Sequence, residues 1–231
     1  MKEHLIGLIT CERDKRWLTA CRDTWLNDVM PDFDVVVADA SMLPPSIPDT
    51  YQTLPQKTKE LCRYALKHSY RWLLKIDCDC FARPKLFKPP YGLDYAGRWR
   101  GPSHPDAVPE GVPNHCSFCS GGGYWLSSRA MQIIVQCEFT KDIAEDRWVG
   151  NSLFGYGIAA HHLTGYIAPT HVPVSDYAKD PGCTVLMQLE EPDQMRRIYA
   201  GIFDPPRPPM GSSPEHFPEG HPLRAQMKSS K

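Results

Sequence analysis

The sequence has no excess of either charge. Its 26 Lys and Arg stand against 27 Asp and Glu, a net charge of −1, which argues against a protein that holds nucleic acid on a broad basic surface. No apolar run approaches the roughly 18–20 residues needed to span a bilayer. The longest, Leu5 to Ile9 and Phe33 to Ala38, are strand-sized. The apolar part of Met1 to Thr10 is too short for a secretory signal and runs straight into Cys11-Glu12-Arg13-Asp14. No internal repeat is present, and there is no even set of cysteines to pair. Nine cysteines without a signal peptide fit reduced thiols better than a disulfide framework. The expectation is a soluble, cytoplasmic protein. What is plentiful is proline, at 23 of 231 residues, and core material, at 42% hydrophobic with six tryptophans. That length and composition suit one domain.

The first 90 residues alternate between strand and helix patterns. Leu5–Thr10 reads as a strand. A stripe of Trp17, Leu18, Cys21, Trp25 and Val29 predicts one helix over Glu12–Met30, stopped by Pro31. Phe33–Ala38 reads as a second strand, residues 41–55 with four prolines as a loop, and Gln56–Ser69 as a helix. Arg71–Ile76 is a third strand, ending in Asp77-Cys78-Asp79. This order predicts a single α/β domain built on a mostly parallel sheet covered by helices. Residues 89–113 read as a long loop. Ser120–Leu126 reads as a glycine turn feeding a strand, Ser127 as the cap of a helix to Gln136, and Glu145–Phe154 as a short acidic-ended helix. A last helix is expected over Gln188–Tyr199. Residues 1–203 would form the folded domain, and 204–231, with seven prolines, a mobile tail.

Asp-x-Asp by itself means little. From 17 aspartates in 231 residues about one such pair is expected by chance, and Asp32-Phe33-Asp34 is a second instance. What sets Asp77 and Asp79 apart is their place at the carboxyl end of a parallel strand, where α/β sheets bind ligands. On an extended segment they project from one face, roughly 6.5–7 Å apart at Cα. Two carboxylates so placed suit Mg²⁺ or Mn²⁺ when substrate phosphates complete the shell. Solvated turn aspartates are the plainer alternative.

The ordered segments resemble the β-1,3-glycosyltransferase family, which includes β-1,3-galactosyltransferases, β-1,3-N-acetylglucosaminyltransferases and Fringe. Arg22-Asp23-Thr24-Trp25 is similar to that family's Arg-x-Thr-Trp, and Tyr51-Gln52-Thr53-Leu54-Pro55-Gln56-Lys57-Thr58 to its Tyr-x-x-Leu-x-x-Lys-Thr. Leu74-Lys75-Ile76-Asp77-Cys78-Asp79-Cys80-Phe81 stands where the family has Leu-Lys-Val-Asp-Asp-Asp-Val-Phe. Ser120-Gly121-Gly122-Gly123-Tyr124-Trp125-Leu126-Ser127 resembles Ser-Gly-Gly-Gly-Tyr-Val-Leu-Ser, and Glu145-Asp146-Arg147-Trp148-Val149-Gly150 resembles Glu-Asp-Val-Tyr-Val-Gly. The five matches cover residues 5–175 in the family's order. Cys78 replaces the central aspartate, and the membrane anchor and disulfides of many animal members have no counterpart here.

The resemblance implies that residues 1–203 are the catalytic domain, a single Rossmann-like nucleotide-sugar-binding domain of the GT-A type with a mixed, mostly parallel sheet. It also implies an inverting hexosyltransferase that moves a sugar from a UDP-sugar to a hydroxyl acceptor, a saccharide or glycoconjugate, with Mn²⁺ or Mg²⁺ as cofactor and a β-1,3 linkage. Asp79 would ligate the metal, with Asp77 near the ribose and metal shell and His171 as a late ligand rivalled by His161 and His162. Asp146 matches the general base, with Glu145 as its fallback. Thr10, Arg13 and Lys57 are candidates for the nucleotide end of the donor, although Arg13 and Lys57 taken singly read as surface charge. Gly121 and Gly122 would let the sugar approach the backbone. Two rival readings stand beside this one: a non-catalytic nucleotide- or sugar-binding module on the same fold, to which Cys78 lends a hint, and a zinc protein built on Cys116, Cys119 and nearby histidines.

Overall fold

The computed structural model describes residues 2–100, 117–138, 144–167 and 179–201. His171, Cys116 and residues 204–231 lie outside these.

A six-stranded mixed sheet runs in the order β2-β1-β3-β6-β5-β7. Three parallel strands form one half: β1 (His4–Ile9), β2 (Phe33–Ala38) and β3 (Trp72–Asp77), with β1 central and paired to both others. All six residues of β1 are buried, as expected of a parallel strand covered on both faces. β6 (Phe118–Ser127) runs antiparallel to β3 and β5 (Tyr95–Arg100), and β5 pairs in parallel with the short β7 (His161–His162). A smaller three-stranded sheet orders β4 (Phe81–Ala82), β9 (Val185–Leu186) and β8 (Tyr166–Ile167).

Helices cover the large sheet: α1 (Lys15–Asp23), α2 (Leu54–Lys67), α3 (Ser128–Gln136), α4 (Glu145–Phe154) and α5 (Pro192–Tyr199). One core lies on the side of α1 and α5, around Trp25, Leu74, Trp125 and Met195. The other lies under α2, α3 and α4, around Leu61, Leu73, Tyr124 and Trp148. The Ser127 hydroxyl caps α3 as the sequence suggests, accepting from Ala130 N at 3.2 Å.

Four expectations need correction. The helix predicted over Glu12–Met30 is broken. Its ordered part is α1, flanked by 3₁₀ turns at Glu12–Asp14 and Trp25–Asp28. The break falls at Thr24, whose hydroxyl bonds back to Ala20 O at 2.6 Å, while the Trp25 indole N–H turns away to Cys80 O. A side chain that offers the backbone an alternative partner weakens the helical ladder.

The loop expected over 89–113 contains β5, whose Tyr95 and Ala96 are buried. The glycine turn is not a turn either. Gly121–Gly123 lie inside β6, where the pairing with β5 jumps from Gly97↔Tyr124 to Trp99↔Cys119. Finally, Gln188 does not begin a helix, since its φ of 57° is left-handed and α5 starts at Pro192.

Candidate active site

The site grows from the carboxyl ends of β1 and β3. Ile9 and Asp77 are register partners, and the chain beyond them stays laced together, with Cys78 N donating to Ile9 O at 3.0 Å. The turn after β3 is closed by Cys80 N to Asp77 O at 3.2 Å. It is held from outside by Leu189 N, which donates to Asp79 O at 2.9 Å. Asp77 ends β3 and Asp79 stands in the turn that follows, so the pair is fixed but does not lie on one extended segment as the sequence suggests.

Both aspartates line a cleft of about 330 Å³. Thr10, Arg13, Asp14 and Trp17 form one wall, and Tyr51 and Leu54 another. Asp14 is oriented by the Cys11 thiol, which donates to its Oδ2 at 2.7 Å. Burial raises the Asp79 carboxyl pKa, partly opposed by the Cys80 thiol and Lys75. Burial also raises that of Asp77, against the pull of Lys75 and with help from Asp79 and Glu145. Asp77 Oδ1 forms an ion pair with Lys75 Nζ at 2.7 Å.

Hard carboxylate oxygens held up against ionisation suit a divalent cation, which would reverse that direction. Among the described residues no cluster of three or more His, Cys, Asp or Glu stands ready to enclose an ion. Two carboxylates are a donor set that an Mg²⁺ or Mn²⁺ ion could share with substrate phosphate and water.

The second half of the site comes from α4 and the bulged β6. Asp146 Oδ2 accepts from Gly121 N at 3.0 Å, and its Oδ1 accepts from Arg147 N at 2.8 Å. Burial and the neighbouring Glu145 raise the Asp146 pKa, while the Gly121 N–H and Lys75 oppose them. Glu145 is differently employed. Its Oε1 accepts from the Thr58 hydroxyl at 2.8 Å and from the Tyr124 hydroxyl, and its Oε2 faces Lys75 Nζ at 3.4 Å. Tyr51 lines the cleft, its phenol pKa raised by burial and then by the charges of Asp146, Glu145 and Asp77. More than half of its surface is exposed all the same.

The other sequence candidates fall out as follows. Thr10 and Arg13 line the cleft. Lys57 is wholly buried, its Nζ spent on Thr10 O and Asp49 Oδ1, both at 2.5 Å. It ties the loop before α2 to the end of β1. Gly122 turns to the core, where an added Cβ would meet Met187 at 2.7–2.9 Å. The sugar-approach argument therefore rests on Gly121, whose Cβ position faces Asp146 and Glu145 at 3.5 Å.

His161 and His162 sit on β7, three strands from β3. At 4.7–4.9 Å per strand that sets β7 roughly 14 Å from β3 across the sheet. Tyr124 and Trp125 are fully buried, one in each core, so neither stacks on a ligand. Cys78 and Cys80 are buried in one core cluster and free, and Cys119 is buried too.

The sequence candidates did not include Asp14, Trp17 and Tyr51, which line the cleft, or Lys75, which pairs with Asp77 and Glu145. Lys75 had a usable signal: a charge inside an apolar strand covered on both faces must find a buried partner.

No family model matches the chain, and no curated protein does. Among solved structures it is similar to one described as the crystal structure of a glycosyltransferase involved in the glycosylation of the major capsid of PBCV-1. The TM-score is 0.53 at 8% identity, over 84% of this chain and 98% of that one. At that identity the likeness carries the fold: a single Rossmann-like α/β domain.

Proposed function

We propose that this protein is a metal-dependent, inverting glycosyltransferase that uses a UDP-sugar. The observation that carries the reading is Asp77 and Asp79 fixed at the carboxyl end of β3, where both line one cleft. The fold shared with a glycosyltransferase supports it, as do the five ordered motif matches, which also carry the β-1,3 linkage and the saccharide acceptor.

Asp79, with Asp77, would hold a divalent cation, which when bound supplies Lewis-acid neutralisation of the leaving diphosphate. Thr10 and Arg13, which line the cleft, would meet the nucleotide end of the donor. Asp146 takes the proton of the acceptor hydroxyl as that oxygen bonds to the anomeric carbon and the carbon–oxygen bond to the diphosphate breaks. One displacement inverts the centre, and the electron pair leaves on UDP. Glu145, committed to Thr58, Tyr124 and Lys75, has the poorer claim to the base role.

The test is a panel of UDP-sugars with Mn²⁺ and released UDP as readout. Turnover of at least one donor, lost in Asp79→Ala without loss of the folded state, supports the reading. Full activity in Asp79→Ala refutes the metal assignment, and UDP binding without any turnover would make the protein a binding module.

A further inference from the structure

Lys75 enters none of the steps above, yet it sits where they meet. It lies on β3 two residues before Asp77, paired with Gly7 on β1 and Tyr124 on β6. Its side chain is 2% exposed. Its ammonium meets an acceptor on each of three elements: Asp77 Oδ1 at 2.7 Å, Gly121 O at 2.5 Å in the bulge of β6, and Glu145 Oε2 at 3.4 Å in the first turn of α4. The Tyr124 ring centroid lies 5.4 Å away. Glu145 passes the connection on to α2 through Thr58.

Gly121 is the telling member. Its carbonyl is held by Lys75 and its amide by Asp146 Oδ2. One peptide segment is thus clamped from the cation on one side and from the candidate base on the other. Asp146 is also bonded in sequence to Glu145, the other end of the Lys75 pair. Moving Lys75 would displace Asp146 by two routes at once, and Asp77 by a third.

We infer that Lys75 is a positioning residue for glycosyl transfer, setting the placement of the base Asp146 relative to the donor-side Asp77 through Gly121 and Glu145. A purely stabilising role explains the network less well. Burying an ammonium and two carboxylates incurs a large desolvation cost, and apolar replacements of such groups are often neutral or stabilising. What an apolar replacement cannot reproduce is a fixed set of directions toward three acceptors.

This inference rests on the glycosyltransferase reading. The test therefore pairs kinetics with a readout that needs no turnover. Lys75→Met together with Glu145→Gln removes both buried charges and keeps an acceptor for Thr58 and Tyr124. In a turned-over UDP-sugar assay, kcat is expected to fall at least about thirtyfold with donor KM within about threefold, the signature of lost transition-state placement. In the same variant without substrate, amide exchange at Gly121 is expected to rise at least about tenfold, since the amide loses the partner that Lys75 holds in place.

Wild-type kcat together with wild-type exchange at Gly121 overturns the inference. If the wild-type enzyme turns over no UDP-sugar but Gly121 exchange still responds, the transfer reading fails and the clamp stands. Should the double variant not fold, Lys75→Met alone carries the test, because it leaves both Asp146 and Glu145 in place as carboxylates. A kcat at least about fivefold lower at unchanged KM supports the inference, and an unchanged kcat overturns it.

Discussion

Asp146 is where environment decides chemistry. Burial and Glu145 raise its pKa above the ordinary carboxylate value of about 3.9. A general base must be ionised, so transfer should fall as pH drops through that raised value, giving an acid limb displaced toward neutrality. Asp146→Asn is expected to lower kcat by about 10²–10⁴-fold and leave UDP affinity unchanged, and calorimetry beside a UDP-release assay checks both.

Stability should move the other way. The folded state binds this proton more tightly than the unfolded chain does. The associated stabilisation is therefore complete below the unfolded pKa and lost as pH rises through the folded one. Asp146→Asn, which imitates the neutral acid, should raise the melting temperature at pH 8 more than at pH 4. A lower melting temperature at pH 8 would show that the Gly121 and Lys75 interactions outweigh burial.

At the scale of elements, the site depends on how closely α4 approaches β6. Gly150 is the contact: a Cβ there would stand 2.5 Å from Phe118 Cβ and 3.2 Å from Ser117 O. Backbone and Cβ atoms cannot swing away as a long side chain can, so Gly150→Ala must lift the helix. The expected cost is about 1–3 kcal/mol in urea unfolding. Because Asp146 rides on the first turn of α4, kcat should fall as well; a wild-type urea midpoint would mean that the helix yields freely.

Elements with a clean period were legible: β1, β2, β3, α2, α3 and α4 stand within a few residues of their expected bounds. β5 was not. Tyr95-Ala96-Gly97-Arg98-Trp99-Arg100 has neither an apolar run nor sustained alternation, and it is a strand because β6 offers it a partner. The break in the first helix was hidden for a similar reason, since Trp25 keeps the helical spacing but is claimed by Cys80 across the core.

For the molecule as a whole, binding and folding are linked. A ligand that binds only the folded state stabilises it by about 2.7 kcal/mol at a hundred times its dissociation constant. UDP with Mn²⁺ should therefore raise the melting temperature more than either alone, because the cation shell is completed by phosphate. Asp79→Ala should abolish the extra increment, as differential scanning fluorimetry would show, while an undiminished increment would place the ion elsewhere. Among the described residues no helix is long and apolar enough to cross a membrane.

The near balance of 26 basic and 27 acidic residues, the strand-and-helix order and the Asp77-x-Asp79 pair at a strand end are properties of the sequence alone. They follow from local rules: side-chain period along an element, and the habit of parallel sheets to bind beyond their carboxyl ends. Which of Glu145 and Asp146 is left available, how far His161 lies from Asp79 and what Lys75 holds are distances between segments remote in sequence. Spacing along the chain does not encode them. The order β3-β6-β5-β7 sets the histidines three strands away, and the bulge of β6 brings Gly121 within reach of Lys75 and Asp146 together.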